Sequence, residues 1–219
     1  NSTPGAVIHY TIDGTTPTPS SPVYTGPFTV TQSRTVKAMA TASGMANSNV
    51  ASTSYTIKVA TPSLSPAGGT FSQPQTVTIG VSTPGANIRY TTDGSTPTGS
   101  SPLYTGPISV TQTTTVRAIG TKSGLANSDV VSATYTLRAV TPTFNPPGGN
   151  YLLPQLVSIS SATPGVTIHY TTNGSTPTTS SPVYSGSILV ILTTTIKAIA
   201  VKPGWSQSTE GSATYRFLL

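Results

Sequence analysis

The sequence predicts an all-β fold built from small sandwiches in series, and three observations carry that prediction. The tripeptide Ile-His-Tyr or Ile-Arg-Tyr ends at Tyr10, Tyr90 and Tyr170, a spacing of 80 residues without drift, and a period of that kind marks copies of one folding unit. Gly and Pro number 20 each, and no 11-residue window combines freedom from these breakers with the three-and-four spacing of an amphipathic helix. The chain is instead rich in Val, Ile, Thr and Tyr, which suit a pleated, half-buried surface.

The second copy shows the elements most fully. Pro62–Ser65 reads as a first short strand. In Gln75–Val81, Val77, Ile79 and Val81 alternate with Thr76, Thr78 and Gly80, the period-two pattern of a strand with one buried face. After the Thr-Pro-Gly turn, Ala86–Thr92 places Ile88 and Tyr90 inward and Arg89 outward. Asp93-Gly94 then breaks the run, because Asp hydrogen-bonds its own turn and Gly accepts positive φ. Pro102-Leu103-Tyr104 and Pro107–Val110 read as two short strands. Thr113–Thr121 points Val116, Ala118 and Gly120 one way and Arg117 and Ile119 the other, and Val130–Leu137 closes the unit with Ala133, Tyr135 and Leu137 in phase. About seven strands separated by frequent turn signals predict an immunoglobulin-like β-sandwich, with Val77, Ile79, Ile88, Tyr90, Val116 and Tyr135 in its core.

The copies divide the chain into units at 1–57, 58–137 and 138–219. The joins, Lys58-Val59-Ala60-Thr61 and Arg138-Ala139-Val140-Thr141, are short, lack Gly and Ser, and are each followed by proline, so a semi-rigid rod is expected. The first copy lacks the opening segment found at Ala60–Val81. Two strands of its sandwich are therefore expected either from sequence upstream or from a neighbouring chain that adds a strand in trans.

Composition narrows the function. Charged residues are 6% of the chain and cysteine is absent, which removes disulfides and thiolate chemistry. No stretch approaches the roughly 18 apolar residues of a membrane span, so membrane insertion is not expected. A Thr, Ser and Asn surface points to an extracellular or cell-surface setting.

At this point the residues carry a resemblance. YTTDGSTPT from Tyr90, SSPLYTGPI from Ser100 and TTTVRAIGTKSGLANSDVVSATYTL from Thr113 together resemble the chitobiase/β-hexosaminidase C-terminal domain family, bacterial extracellular modules that occur in tandem beside glycoside hydrolases or within surface proteins. The resemblance implies a β-sandwich accessory module without catalysis, and no binding residues transfer with it. The third copy departs from the pattern at Asn173, at Leu189-Val190-Ile191-Leu192 and at Trp205.

The acids are Asp13, Asp93, Asp129 and Glu210, and the histidines His9 and His169. Acid–base or metal chemistry needs convergent groups, and the repeat places equivalent acids in different units, so neither an enzyme nor a cofactor is expected. Asp13 and Asp93 read as turn residues. His9, Arg89 and His169 share one strand position, and Lys37, Arg117 and Lys197 share another. With a net charge of +6 these six form a candidate stripe for a polysaccharide or cell-wall polyanion, against the plainer reading of scattered solubilising charge. Too few basic residues and no reader motif leave nucleic acid out. Trp205 is the candidate glycan contact, though its counterparts Met45 and Leu125 suggest an apolar plug for the sandwich end. Two functions follow: a non-catalytic structural or surface repeat protein (stalk, spacer or filament subunit) that meets copies of itself or adjacent domains, or a carbohydrate-binding accessory module of a secreted glycoside hydrolase.

Overall fold

The computed structural model describes residues 2–218 and is all β among them. The first repeat holds β1 (Val7–Thr11), β2 (Arg34–Thr41) and β3 (Ala51–Tyr55). The second holds β4 (Ser63–Ser65), β5 (Gly69–Phe71), β6 (Gln75–Gly80), β7 (Asn87–Thr91), β8 (Ile108–Val110), β9 (Thr114–Thr121) and β10 (Val131–Leu137). The third repeats that order in β11 (Thr143–Asn145), β12 (Gly149–Tyr151), β13 (Gln155–Ser160), β14 (Thr167–Thr171), β15 (Ile188–Val190), β16 (Thr194–Val201) and β17 (Gly211–Phe217).

The second and third repeats are each a sheet of three on a sheet of four, ordered β4-β6-β8 on β5-β10-β9-β7 and β11-β13-β15 on β12-β17-β16-β14. Their inner faces bury Val77, Ile79, Ile88, Val110, Val116, Ala118 and Tyr135 in one core and Val157, Ile159, Ile168, Val190, Ile196, Ala198 and Tyr215 in the other. Each full burial of such an aliphatic side chain contributes about 1.5–3 kcal/mol. All six expected core residues are there, with Tyr90 packed on the margin. The Tyr135 and Tyr215 hydroxyls donate to the carbonyls of Pro66 and Pro146, each at 2.7 Å, so the buried phenols leave no donor unpaired.

One strand differs from expectation. Pro102–Tyr104 is held to β7 by a single bridge at Arg89 and Leu103 and forms no named strand. The seventh strand is β5, which runs parallel to β10. Its short Gly-Gly-Thr-Phe text has no readable alternation. The approach explains the glycine: a Cβ on Gly68 would stand 2.8 Å from the Thr134 carbonyl oxygen.

Among its described residues the first repeat has a single sheet, β1-β2-β3. Tyr55, counterpart of the fully buried Tyr135 and Tyr215, is 47% exposed. A cleft of about 530 Å³ is lined by Asp13, Arg34, Thr35, Ser54, Tyr55 and Thr56, and the edge of β3 has no counterpart of β5 or β12 among the described residues. Elsewhere in this repeat Tyr10, Tyr24 and Phe28 pack on one another, with Tyr10 and Phe28 stacked at 5.0 Å.

Candidate functional site: basic strand positions and the inter-repeat joint

The two basic positions lie on neighbouring strands. Arg89 pairs with Ile119 and Thr91 with Arg117 in the β7–β9 register, and β1–β2 and β14–β16 repeat it around His9 and Lys37 and around His169 and Lys197. That register puts the two positions diagonally on one face. Exposure corrects the outward placement read from the sequence: His9 and His169 are buried. Their Nδ1 atoms donate to the carbonyls of Ser21 at 2.9 Å and Ser181 at 2.8 Å, and Arg89 Nη1 donates to Ser101 at 3.0 Å. A carbonyl only accepts, which places a proton on each Nδ1. The shared position is thus a clamp that ties the Thr-Pro-Thr loop to the strand, a task that both His and Arg perform.

The second position divides three ways. Arg117 Nη1 donates to the Gly94 carbonyl at 3.2 Å and to Thr96 Oγ1 at 2.9 Å, another loop clamp. Lys197 pairs with Glu210 at 3.0 Å. Lys37 has no ion-pair partner among the described residues. Burial and internal hydrogen bonding or pairing tie down five of the six side chains of the candidate stripe, because a side chain long enough to reach solvent is also long enough to reach the loop above it.

Asp13, Asp93 and Asn173 behave as the turn reading expects. The Asp93 carboxylate accepts from the Ser95 amide at 2.9 Å and its hydroxyl at 2.6 Å, and Asp13 and Asn173 repeat the pair with Thr15 and Ser175. Hydrogen bonds from the Ser95 side chain and amide lower the Asp93 pKa, and those from Thr15 lower that of Asp13. Among the described residues no three His, Cys, Asp or Glu side chains gather as a metal would require.

The joints carry the geometry that sequence reasoning missed. Gly44-Met45-Ala46-Asn47-Ser48 recurs as Gly124-Leu125-Ala126-Asn127-Ser128 and Gly204-Trp205-Ser206-Gln207-Ser208, and each copy turns at a glycine with φ of 75–82°, a conformation open to Gly. The final serine pins the loop to its own repeat, its hydroxyl accepting from Ala40, Gly120 or Ala200 N at 2.8 Å in every copy. In the second and third copies the loop then docks on the end of the preceding repeat and on the linker that follows it. Ser33 N donates to Gly124 O at 2.8 Å, Ala126 N to Ile57 O at 2.9 Å and Val59 N to Ala126 O at 3.0 Å. At the next joint Thr113 N donates to Gly204 O at 2.8 Å, Ser206 N to Leu137 O at 2.7 Å and Ala139 N to Ser206 O at 3.0 Å. The signal was the identical serine and glycine spacing, but its partners lie in another repeat and have no sequence mark of their own.

Trp205 belongs to this joint. Its Nε1 donates to the Thr111 carbonyl at 3.0 Å, and Lys202 Nζ sits 4.7 Å from its ring centroid, a cation–π contact. The indole lines a groove of about 460 Å³ with Ser72, Gln73 and Pro74 of the second repeat and Pro164 of the third. The expectation of a plug for the loop's own sandwich is corrected in part: Trp205 reaches the repeat before it.

Sandwiches of three on four strands, copied in tandem, define an immunoglobulin-like repeat protein. The chain belongs to the chitobiase/β-hexosaminidase C-terminal domain family, whose model matches residues 1–60, 66–134 and 146–214. Among curated proteins none matches significantly. Among solved structures the chain is similar to Sidekick-1 immunoglobulin domains 1–5, at 12% identity and TM-score 0.32, over 97% of this chain and 52% of that one. It thus spans about half of that chain's length. It is also similar to the Clostridium thermocellum CbhA fibronectin(III)-like modules, at 17% identity and TM-score 0.25, over 71% and 94% of the two chains. A third similarity is to domains 7, 8 and 9 of the S-layer protein SbsC, at 13% identity and TM-score 0.28, over 85% and 70%.

Proposed function

We propose that the chain is a non-catalytic, extracellular structural array, a spacer whose business is length and stiffness. The supporting observation is the joint: three backbone hydrogen bonds recur at both junctions with the same donors and acceptors, although the side chains around them differ. Backbone bonding fixes the angle between repeats without depending on those side chains, which is what a spacer of variable surface needs. The extracellular setting rests on the family and on a surface of neutral Thr, Ser and Asn.

Small-angle scattering tests the reading directly. The native chain should give one extended envelope, and four Gly-Ser residues inserted between Val59 and Ala60 should broaden the distribution of maximum dimensions. A native chain already as flexible as the insertion variant would remove the spacer reading. A second reading, the carbohydrate-binding accessory module, has the Trp205 groove in its favour, since a planar ring beside a groove suits a sugar face. Retention on insoluble polysaccharide that disappears in Trp205→Ala would support it.

A further inference from the structure

The third repeat carries six exposed aliphatic residues that the second lacks. Leu152, Leu153, Leu156, Leu189, Ile191 and Leu192 are 59–80% exposed. Residues 80 positions earlier are Ser72, Gln73, Thr76, Ser109, Thr111 and Gln112. The six form one surface, because Leu156 and Leu189 are cross-strand partners and the other four lie in the loops that extend from those two strands. Apolar patches on a monomer normally stop at a few hundred Å², and larger ones mark an interface.

The second repeat shows what docks at this place. Ser72 and Gln73 line the Trp205 groove, Thr111 O accepts from the indole, and the Gln112 side chain lies against Gly204. Four of the six aliphatic positions therefore coincide with the face that receives the loop of the next repeat. One copy of that loop, Gly44–Ala46, meets no receiving face among the described residues. Gly44-Met45-Ala46 already has the docked conformation, with φ of 76° at Gly44 and Met45 N donating to Ala42 O at 3.2 Å as Trp205 N does to Lys202 O at 3.1 Å. Met45 is 64% exposed.

The two free surfaces also match in chemistry. Trp205 brings an indole N–H and meets Ser72, Gln73 and a carbonyl; Met45 has no polar group to satisfy, and Leu152, Leu153 and Leu192 offer none. At the spacing of the two observed joints, Thr193 N stands where Ser33 N and Thr113 N stand, and Gly44 O where Gly124 O and Gly204 O stand. Neither has a partner among the described residues.

We propose that Leu152, Leu153 and Leu192 dock the Gly44–Ala46 loop of a second copy of the chain, so that molecules associate head to tail through a third instance of the joint already present twice. This deepens the spacer reading and rests on it. The contact is heterologous, and repeated addition gives an open filament, or a ring where the rotation closes.

Sedimentation and mass photometry over a concentration series test it. The native chain should grow beyond a dimer as concentration rises. Met45→Asp and the double variant Leu153→Gln/Leu192→Gln, all exposed substitutions that circular dichroism should show folded, should each weaken association by more than about tenfold, the equivalent of about 1.4 kcal/mol. Mixed together they should form a 1:1 complex and nothing larger, since each retains the end that the other has lost. Monomers at every concentration would overturn the docking, and an extended native envelope in scattering would still leave the spacer reading standing. Association unaffected by Met45→Asp would overturn it equally, as the mark of leucine faces pairing with one another.

Discussion

Individual residues in this chain show how one position can keep a task while changing its chemistry. His9, Arg89 and His169 all donate to the carbonyl of a serine twelve residues on, so what the fold needs there is an N–H at a given reach rather than a charge. Asp13, Asp93 and Asn173 share an acceptor oxygen in the same way, and there the difference in charge has a measurable consequence. The Ser95 hydrogen bonds lower the folded-state pKa of Asp93 below its ordinary value of 3.8. The carboxylate is favoured by the folded turn, so its contribution to stability is present above that ordinary value and is lost as pH falls through the lowered one. Asp93→Asn copies the third repeat, and its melting temperature should equal that of the native chain at neutral pH. Between the ordinary and the lowered pKa the native second repeat should lose stability that the variant keeps. Thermal melts at several acidic pH values check this, and parallel decline in both proteins would show that Asp93 adds no acid sensitivity.

Among the elements, the linkers do more than connect. Val59 and Ala139 are buried, at 2% and 3% exposure, and Val59 lies against Gly120, the penultimate residue of β9. A Cβ on Gly120 would stand 2.5 Å from Val59 Cγ1 and 3.2 Å from Ala60 O, so the larger linker residue requires the glycine. In the third repeat Ala139 and Ala200 share one core, with the volume moved from one partner to the other. Gly120→Ala should therefore destabilise the second repeat by about 1–3 kcal/mol through overpacking. Combining it with Val59→Ala reproduces the third repeat's pair and should recover most of that loss. Urea denaturation of the two single variants and the double gives the coupling directly, and additive losses would mean that the Ala60 backbone, not Val59, sets the limit.

At the scale of the whole molecule, the 80-residue repeat and the alternation of Gln75–Val81 and Thr113–Thr121 made the sandwiches and their cores legible in the sequence, because buried faces must recur every second residue. The strand β5 was not legible, since Gly-Gly-Thr-Phe has no alternation and its partner lies more than sixty residues on. Nor were the joints, whose bonds run between backbone atoms that any residue possesses. The candidate basic stripe was legible as positions but not as exposure, because nothing in the local text says that a loop folds back over His9 or His169. The nature of the joint also decides how shape should respond to salt. Lys58 of the linker and Asp129 form an ion pair beside the first joint at 2.8 Å, with side chains 54% and 74% exposed, and exposed pairs contribute only about 0–1 kcal/mol. At the second joint Arg138 stands in place of Lys58 and Thr209 in place of Asp129, so that pair is not repeated, whereas the three backbone bonds are. Raising salt from about 0.1 to 1 M shortens the screening length from about 10 to 3 Å and should cancel the ion pair while leaving the backbone bonds intact. At a concentration low enough to keep the chain monomeric, its maximum dimension in small-angle scattering should be unchanged over that range, and Asp129→Asn should behave as the native chain does. A chain that shortens or becomes more flexible at high salt would show that charges, not the backbone bonds, hold the first joint, and would count against the proposed spacer.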